Sequence, residues 1–224
     1  MDTVIIIPVY NEGQVVGEVV GNVLERFPNV VCVDDGSRDD SAEQVIRTKA
    51  MLVKHPINLG QGAALQTGIE YALQNPKIKY FVTYDADGQH SLDDVERMLK
   101  LIKKENVDIV LGSRFLGKAE NISRMKKLIL KLAIVFSNKT SGLTLTDAHN
   151  GLRVFNRHVA EELNITMPDY SHASEIVERI AQKQFIYIEA PVTIIYTEYA
   201  RQKGQSMLNS INIAVDMLMR RITK

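Results

Sequence analysis

The amino-acid sequence predicts an α/β fold with a mostly parallel central sheet flanked by helices. Through Gly112, short β-branched runs alternate with stretches of helical periodicity, a pattern typical of repeated strand–helix units. Polar clusters follow four consecutive predicted strands, where parallel sheets place their working groups. A length of 224 residues is within the range of one α/β domain, so we expect a single domain over residues 1–224.

The elements of the first half follow from these patterns. Strands are predicted at residues 4–7, 30–33, 51–54, 80–84 and 108–111. Helices are predicted near residues 12–25, 41–48, 62–73 and 92–104. The polar clusters at residues 8–12, 34–37, 58–62 and 85–88 should converge on one edge of the sheet.

The second half has a looser pattern. A basic amphipathic helix is predicted from residue 124 to about 136, a short element at 152–155 and a helix at 171–183. Strands are predicted at 185–189 and 192–199, and residues 207–224 again have helical spacing. Because no repeat or linker separates the halves, the second half should complete the same domain.

Composition restricts the classes of function. The 27 basic and 27 acidic residues balance, so overall charge does not favour nucleic acid as a partner. Cys32 lies in an apolar run and is expected to be a buried hydrophobic residue in a reducing compartment. The start of the chain lacks the features of a signal peptide. No apolar run approaches the roughly 18 to 20 residues of a membrane-spanning helix. We expect a cytoplasmic, soluble or peripheral protein.

Two acidic pairs follow predicted strands. Asp85 and Asp87 precede a glycine, so two carboxylates can reach a common point beside a backbone that is free to turn. Such hard oxygen ligands suit Mg²⁺ or Mn²⁺ holding a diphosphate, although turn acids and helix caps are the alternative. Asp34 and Asp35 end another strand, and two acidic strand ends on one edge are costly without a cation or a donor-rich ligand.

Together these motifs resemble the family 2 glycosyltransferases of GT-A fold. The resemblance extends from Val4 to Arg153 and rests on Pro8, Asn11, Glu12, the segment 33–37, Asn58, Gly60, the segment 85–90 and the segment 112–114. It implies a glycosyltransferase with a Rossmann-like sheet, in which residues 1–115 bind a nucleotide-sugar. Residues 116–224 would then form the acceptor-side extension, ending in an amphipathic helix.

The resemblance also implies roles for individual residues. The residues expected to bind the nucleotide are Pro8, Tyr10, Glu12, Asp35 and Asp85. Asp87 is implied as the principal metal ligand, assisted by Asp85 and Gln89. A metal on the leaving diphosphate would stabilise developing charge by several kcal/mol, and inversion at the sugar carbon is expected.

A second cluster indicates a branch of the family. Residues 146–153 and the Arg-x-x-Gly-x-Ser segment at 201–206 resemble dolichyl-phosphate mannose synthases and other polyprenyl-phosphate glycosyltransferases. The residues implied to bind donor or acceptor phosphates are Arg114, Arg124, Arg153, Arg201 and Ser206. An anionic lipid phosphate needs no strong general base, so catalysis reduces to charge neutralisation and alignment. The chain departs from this branch at His149 and Met207.

Several alternatives remain open from the sequence. If the acceptor is a sugar hydroxyl, Asp147 is the natural general base; otherwise it is a turn or cap acid. Asn58 to Gly62 is either a loop that approaches the nucleotide or a helix start, and Glu175 is either an acceptor contact or a helix-surface acid. A noncatalytic nucleotide-sugar-binding regulator and a nucleotidyltransferase are the alternatives from other functional classes.

The basic amphipathic stretch beginning at Arg124 favours an interfacial helix at the cytoplasmic face of a membrane. The alternative is a helix that covers the core and has solvated lysines. The apolar spacing of residues 207–222 indicates a second anchor or a docking face. A small membrane-protein partner is a further hypothesis.

Overall fold

Seven strands form the central sheet of the computed structural model, which describes residues 1–122, 124–167, 171–196 and Tyr199. The strands are β1 (Thr3–Val9), β2 (Val30–Asp34), β3 (Met51–Lys54), β4 (Tyr80–Thr83), β5 (Ile109–Glu120), β6 (Arg153–Asn156) and β7 (Tyr187–Ile195). The helices of the described residues are α1 (Val16–Arg26), α2 (Ser41–Ile46), α3 (Gln61–Leu73), α4 (Leu92–Glu105), α5 (Arg124–Ser141), α6 (Arg157–Glu162) and α7 (His172–Lys183).

The strand order is β3-β2-β1-β4-β6-β5-β7. β1 pairs in parallel with β2 and β4, and β2 pairs in parallel with β3. β6 is antiparallel to both β4 and β5, whereas β5 and β7 are parallel. The predicted α/β fold with a mostly parallel sheet and flanking helices is therefore confirmed.

β1 is an interior strand, third in the sheet order, and its residues are apolar on both faces. Ile5 and Ile7 pack in one core cluster with residues of α1 and α4. Val4 and Ile6 pack in a second cluster with residues of α3, α6 and α7. Because successive side chains of a strand point to opposite faces, β1 packs against the helices on both sides of the sheet.

The parallel order of β3, β2, β1 and β4 brings their carboxyl ends to one edge, as predicted. β6 runs the opposite way, so its first residue, Arg153, reaches this same edge. Arg153 is in register with Thr83 of β4 and with Leu111 of β5. The sheet thus places a buried arginine between β4 and β5, at the edge where the loop with Asp85 follows β4.

The second half differs in detail from the sequence expectation. Two separate strands were expected around Pro191, but β7 is continuous and Pro191 is in register with Ser113. β7 is the last strand of the sheet, so proline's missing N–H leaves no inner ladder bond unmade. β5 extends to Glu120, well beyond the predicted end, through a second run of pairing with β7. Helix α6 was not predicted.

The predicted halves share the sheet, and the boundary between residues 115 and 116 falls inside β5. The assignment of residues 1–224 to one domain stays a prediction. The helix predicted at 207–224 lies outside the described residues.

Cys32 is fully buried, and burial raises the pKa of its thiol to about 12, consistent with a hydrophobic role. Among the described helices, none has the length and apolar character needed to cross a membrane.

Two helical glycines provide a matched test of the packing of α3 on the sheet. A β-carbon at Gly68 would collide with Cγ2 of Ile6 and lie 3.3 Å from Cγ2 of Val33, whereas one at Gly21 of α1 would meet nothing within 4 Å. We expect Gly68→Ala to destabilise the protein by about 1–3 kcal/mol through overpacking. Gly21→Ala should stabilise it by about 0.5–1 kcal/mol through helix propensity. Urea denaturation measures both, and equal changes of the same sign would contradict this packing.

Candidate active site

A cavity of about 450 Å³ opens at the carboxyl ends of β1 and β2. Its lining residues are Tyr10, Asp34, Gly36, Ser37, Arg38, Lys54, His55, Pro56, Ile57 and Asn58. Asp34 is only 1% exposed and accepts a hydrogen bond from the backbone N–H of Ser37 at 3.2 Å. The cavity therefore combines a buried carboxylate with the partly exposed aromatic ring of Tyr10.

Asp35 faces the loop before α3. Its Oδ1 lies 2.7 Å from Nδ1 of His55 and accepts from the N–H of Leu59 at 2.9 Å, and its Oδ2 accepts from the N–H of Gly60 at 2.8 Å. Nε2 of His55 in turn lies 3.0 Å from Oγ1 of Thr67. The sequence suggested a cation or a donor-rich ligand for this acidic strand end, but for Asp35 the protein itself supplies hydrogen-bond donors. The nucleotide contact of Asp35 stays a prediction.

The loop after β1 is fixed by the loop after β2. The backbone N–H of Asn11 donates to Oγ of Ser37 at 2.9 Å, and that of Glu12 donates to Oγ of Ser41 at 2.7 Å. Pro8 belongs to β1 itself and is in register with Val33.

Tyr199 joins this loop to the segment that follows β7. Its hydroxyl donates to Oε2 of Glu12 at 2.7 Å. Burial and the neighbouring Glu12 raise the pKa of Tyr199. Residues close to the two ends of the described chain therefore meet beside the cavity.

Asp85 is held by side chains from both directions. Its Oδ1 accepts from Nε2 of Gln61 at 3.1 Å, and its Oδ2 lies 2.9 Å from Nε2 of His90. Burial opposes ionisation, but His90 and the charge of Arg153 outweigh it, so the pKa of Asp85 lies below its usual value. A β-carbon at Gly151 would collide with the Asp85 carboxylate, so the turn before β6 can approach only as glycine.

Asp87 and Gln89 form a compact pair next to Asp85. The backbone N–H of Gln89 donates to Oδ1 of Asp87 at 3.0 Å, and its side-chain amide donates to Oδ2. Burial and the negative charge of Asp85 raise the pKa of Asp87. Two close carboxylates with one raised pKa favour the arrival of a cation.

Arg153 is a buried cation beside these acids. Its side chain is 3% exposed, and burial lowers its pKa to about 10 although Asp85 and Asp147 counteract this effect. Its Nη1 atom has no hydrogen-bond partner among the described residues. A buried guanidinium nitrogen without an acceptor is costly, so this position favours an acceptor from outside the described residues.

Arg153 is not alone in this respect. In the part of the chain that the structure describes, the buried side-chain N and O atoms without partners are His90 Nδ1, His149 Nδ1, Asn150 Nδ2 and Arg153 Nη1. His90 belongs to the loop that carries Asp85, His149 and Asn150 belong to the turn before β6, and Arg153 is the first residue of β6. Unsatisfied polar atoms are therefore concentrated around one carboxylate, as expected of a site for a polar ligand.

Arg114 and Asp147 form a buried ion pair. Nε of Arg114 donates to Oδ2 of Asp147 at 2.6 Å, and the backbone N–H of Arg114 donates to the same oxygen at 3.1 Å. The guanidinium also donates to the hydroxyl of Tyr196 at 2.8 Å and to the carbonyl of His149 at 3.0 Å. Burial acts against the charge of Arg114, but Asp147 outweighs it and raises the pKa of the guanidinium.

His149, where the chain departs from the resembled branch, lies within this arrangement. Its Nε2 is 3.3 Å from Oγ of Ser174, and burial lowers its pKa to about 4. The imidazole is therefore neutral near pH 7.

The remaining predicted residues have different outcomes. Arg124 is exposed at the first residue of α5, and Arg201 and Ser206 lie outside the described residues. Glu175 was considered as a helix-surface acid, but it is 4% exposed and accepts from the N–H groups of Thr166 and Met167. It organises the loop before α7.

Sequence reasoning missed the roles of His55, Gln61 and Tyr196. Gln61 was within the segment considered as a nucleotide loop or a helix start, and it is both the first residue of α3 and a donor to Asp85. His55 follows the last residue of β3, a position that could have been read as a strand end. No local pattern indicated Tyr196.

The chain matches the model of glycosyl transferase family 2 over residues 4–163. The chain belongs to this family. An uncharacterized protein of Methanocaldococcus jannaschii is 33% identical, over 97% of this chain and 91% of its own length. The UDP-N-acetylglucosamine–dolichyl-phosphate N-acetylglucosaminyltransferase of Methanococcus voltae is 30% identical, over 98% of this chain and 96% of its own length. The polyprenol monophosphomannose synthase of Mycolicibacterium smegmatis is 28% identical, over 94% of this chain and 82% of its own length. The predicted polyprenyl-phosphate branch of the family is confirmed, and the chain is a glycosyltransferase.

Solved structures confirm the GT-A fold. Glucosyl-3-phosphoglycerate synthase of Mycobacterium tuberculosis superposes with a TM-score of 0.69 at 17% identity, over 97% of this chain and 80% of that one. A structure of the same enzyme in complex with Mg²⁺ and uridine diphosphate gives a TM-score of 0.67 at 17% identity, over 85% and 69%.

The Arg114–Asp147 pair can be tested by breaking it from either side. We expect Arg114→Met and Asp147→Leu each to destabilise the protein by about 3–5 kcal/mol, because each leaves a buried charge without its partner. The Arg114→Met/Asp147→Leu double variant should lose less than the sum of the single losses. Glu162→Gln, which removes the exposed 2.6 Å pair with Lys183, is the control and should leave the unfolding midpoint unchanged. Additive losses measured in urea would refute the coupling.

Proposed function

We propose that this glycosyltransferase moves a hexose from a UDP- or GDP-sugar to a polyprenyl phosphate, undecaprenyl or dolichyl, with inversion at the sugar carbon. The proposal rests chiefly on one observation, the close approach of the Asp85–Asp87 loop to Gly151 and to Arg153 at the start of β6, whose Nη1 atom has no hydrogen-bond partner among the described residues. Carboxylates for a metal and cationic donors for an anionic oxygen thus lie side by side. The relatives named for transfer to dolichyl phosphate and for polyprenol monophosphomannose synthesis support the lipid acceptor.

The donor base would occupy the cavity lined by Tyr10 and Asp34. A buried carboxylate accepts N–H groups, and both uracil and guanine present an imide-type N–H. Tyr10 offers an aromatic face to the base, and Lys54 and Arg38 add positive charge near a nucleotide. These features support a UDP- or GDP-sugar and leave the choice between them to the assay.

The Asp85–Asp87 loop fits a divalent metal. Its carboxylates and the amide oxygen of Gln89 are hard oxygen donors, which suits Mg²⁺ or Mn²⁺. Among the described residues, no group of three or more His, Cys, Asp or Glu side chains can hold a metal, so diphosphate oxygens would complete the coordination. When bound, the metal offsets the negative charge that develops on the leaving diphosphate. Gln61 and His90 hold the carboxylate of Asp85 in place for that ligand set.

The state of Asp147 bears on the acceptor. Its side chain is 1% exposed and its Oδ2 is bound to Arg114, so taking a proton from a sugar hydroxyl would break a buried ion pair. A phosphate acceptor is already anionic and requires alignment and charge neutralisation rather than a base. This geometry supports the lipid phosphate over a sugar hydroxyl. Asp147 would then position Arg114 for catalysis.

A lipid-phosphate acceptor would bring the reaction to a membrane surface, and we propose the cytoplasmic face, where the protein would act as a peripheral enzyme. Arg201 and Ser206 would assist Arg153 in binding phosphate. A small membrane protein is proposed as a further partner, and nucleic acid is not.

Product analysis tests the proposed reaction. Radiolabelled UDP- and GDP-hexoses are incubated with polyprenyl phosphate and Mn²⁺, and the label is followed into the organic phase. We expect the label to become lipid-extractable, to be released by mild acid and to depend on one of the two nucleotides. Label that appears only in water-soluble saccharides would identify a sugar hydroxyl acceptor instead.

Asp87→Asn tests the metal site. We expect a loss of about 100-fold or more in kcat/KM, because several kcal/mol of charge stabilisation disappear. Calorimetry should show that Mn²⁺ strengthens binding of the nucleoside diphosphate to the wild type and not to the variant. Asp93→Asn, at an exposed acid on α4, is the control and should match the wild type. Equal diphosphate binding with and without chelator would refute metal dependence.

A further inference from the structure

We propose that the exposed face of α5 docks onto the surface of an anionic lipid bilayer. The inference rests on the proposed lipid-phosphate acceptor, which must be reached at a membrane. It concerns a surface outside the donor cavity and the Asp85–Asp87 loop.

The exposed face of α5 is apolar along its length. Met125, Leu128, Leu132 and Val135 are 54%, 54%, 62% and 66% exposed. Their spacing of three, four and three residues places them on one side of a helix. Such a continuous run of large exposed side chains differs from scattered surface apolar residues, which need no explanation.

The other side of α5 is the one that covers the core. Ser137 is buried, and Ile134 packs against the cluster that contains residues of α3 and α7. Covering the core therefore explains the side of α5 that carries Ile134 and Ser137. It does not explain the apolar face from Met125 to Val135, which has no partner among the described residues.

Charge favours anionic lipid as the occupant of this face. Arg124, Lys127, Lys131 and Lys139 are exposed on α5, and the sequence from 124 to 141 contains no acidic residue. The whole chain has zero net charge, so this is a local concentration of positive charge. Cations beside an apolar stripe match a surface of anionic headgroups over acyl chains. A second copy of the same face would place like charges together.

Both ends of α5 are tied to the candidate active site. β5 passes from Arg114 through the exposed Leu116, which is 51% exposed, before α5 begins. At the other end, Asn138 exchanges hydrogen bonds of 2.8 and 2.9 Å with the backbone of Leu145. Leu145 lies two residues before Asp147. The ion pair of Arg114 and Asp147 therefore joins the two ends of the stretch of chain that contains α5. Docking of α5 therefore brings the site to the headgroup layer, where a lipid phosphate lies.

Vesicle sedimentation of the full chain tests the docking. The protein is mixed with vesicles of phosphatidylcholine alone or with phosphatidylglycerol, at low and high salt. We expect binding that requires phosphatidylglycerol and weakens with salt. Leu128→Glu/Leu132→Glu should lower the partition coefficient by about tenfold or more, and Lys127→Gln/Lys131→Gln by about tenfold.

Matched control variants make the same kinds of substitution at exposed positions outside α5. Ile46→Glu/Ile186→Glu alters two side chains that are 64% and 61% exposed outside α5, and Lys77→Gln/Lys100→Gln removes two exposed lysines. Both controls should bind vesicles like the wild type, and circular dichroism should show all variants folded. Equal binding by the Leu128→Glu/Leu132→Glu variant and the wild type would overturn the proposal. Absence of binding to any lipid-only vesicle would also overturn it and would favour a membrane protein as the occupant.

A second readout separates docking from the reaction itself. Transfer is measured to a short, water-soluble polyprenyl phosphate and to a long-chain acceptor embedded in vesicles. The α5 variants should retain transfer to the soluble acceptor and lose most transfer to the embedded one. If the wild type transfers to neither, the proposed function fails, while sedimentation still decides the docking. If the α5 variants lose transfer to both acceptors equally, the substitutions affect the active site itself and the docking role is refuted.

Discussion

The buried ion pair of Arg114 and Asp147 is the constraint on which the second half of the structure depends. It joins the end of the first paired run of β5 to the turn before β6, across the whole of α5. Neither residue is tolerable alone in a buried position, because a lone charge there is strongly unfavourable. Tyr196 and the carbonyl of His149 share the guanidinium, so the pair also fixes the segment after β7 and the turn that reaches Asp85.

The direction of β6 then determines the chemistry of the sheet edge. Because β6 is antiparallel to its neighbours, its first residue and the preceding turn lie beside the residues that follow β4. Gly151 permits this turn to contact the carboxylate of Asp85, and Arg153 follows it into the sheet. The structure thereby brings together acids that attract a cation and a guanidinium whose Nη1 atom lacks an acceptor among the described residues, in a protein with no net charge. A diphosphate with its metal, facing an anionic acceptor, is a ligand set that suits both.

Much of the donor half was predictable, since its signals are local. The alternation of strands and helices and the order of acidic turns are features of short segments, and they located the edge where β1, β2 and β4 end. The acidic residues that follow β2 and β4 lie at this edge, as the order of the turns indicated, but their individual partners were not predicted. Asp35 binds His55 and two backbone amides, and Asp147 binds Arg114, through contacts between segments separated by tens of residues.

The sequence by itself determined the fold class and the family, and it predicted the chemical type of the site, because periodicity and motif spacing are properties of neighbouring residues. Tertiary structure decided the direction of β6, the continuity of β7 through Pro191, and which carboxylate oxygens are already occupied. It also decided that one face of α5 packs on the core while Leu128 and Leu132 stay exposed. An amphipathic pattern specifies that a helix has two faces. Only the position of the neighbouring elements specifies which face is covered.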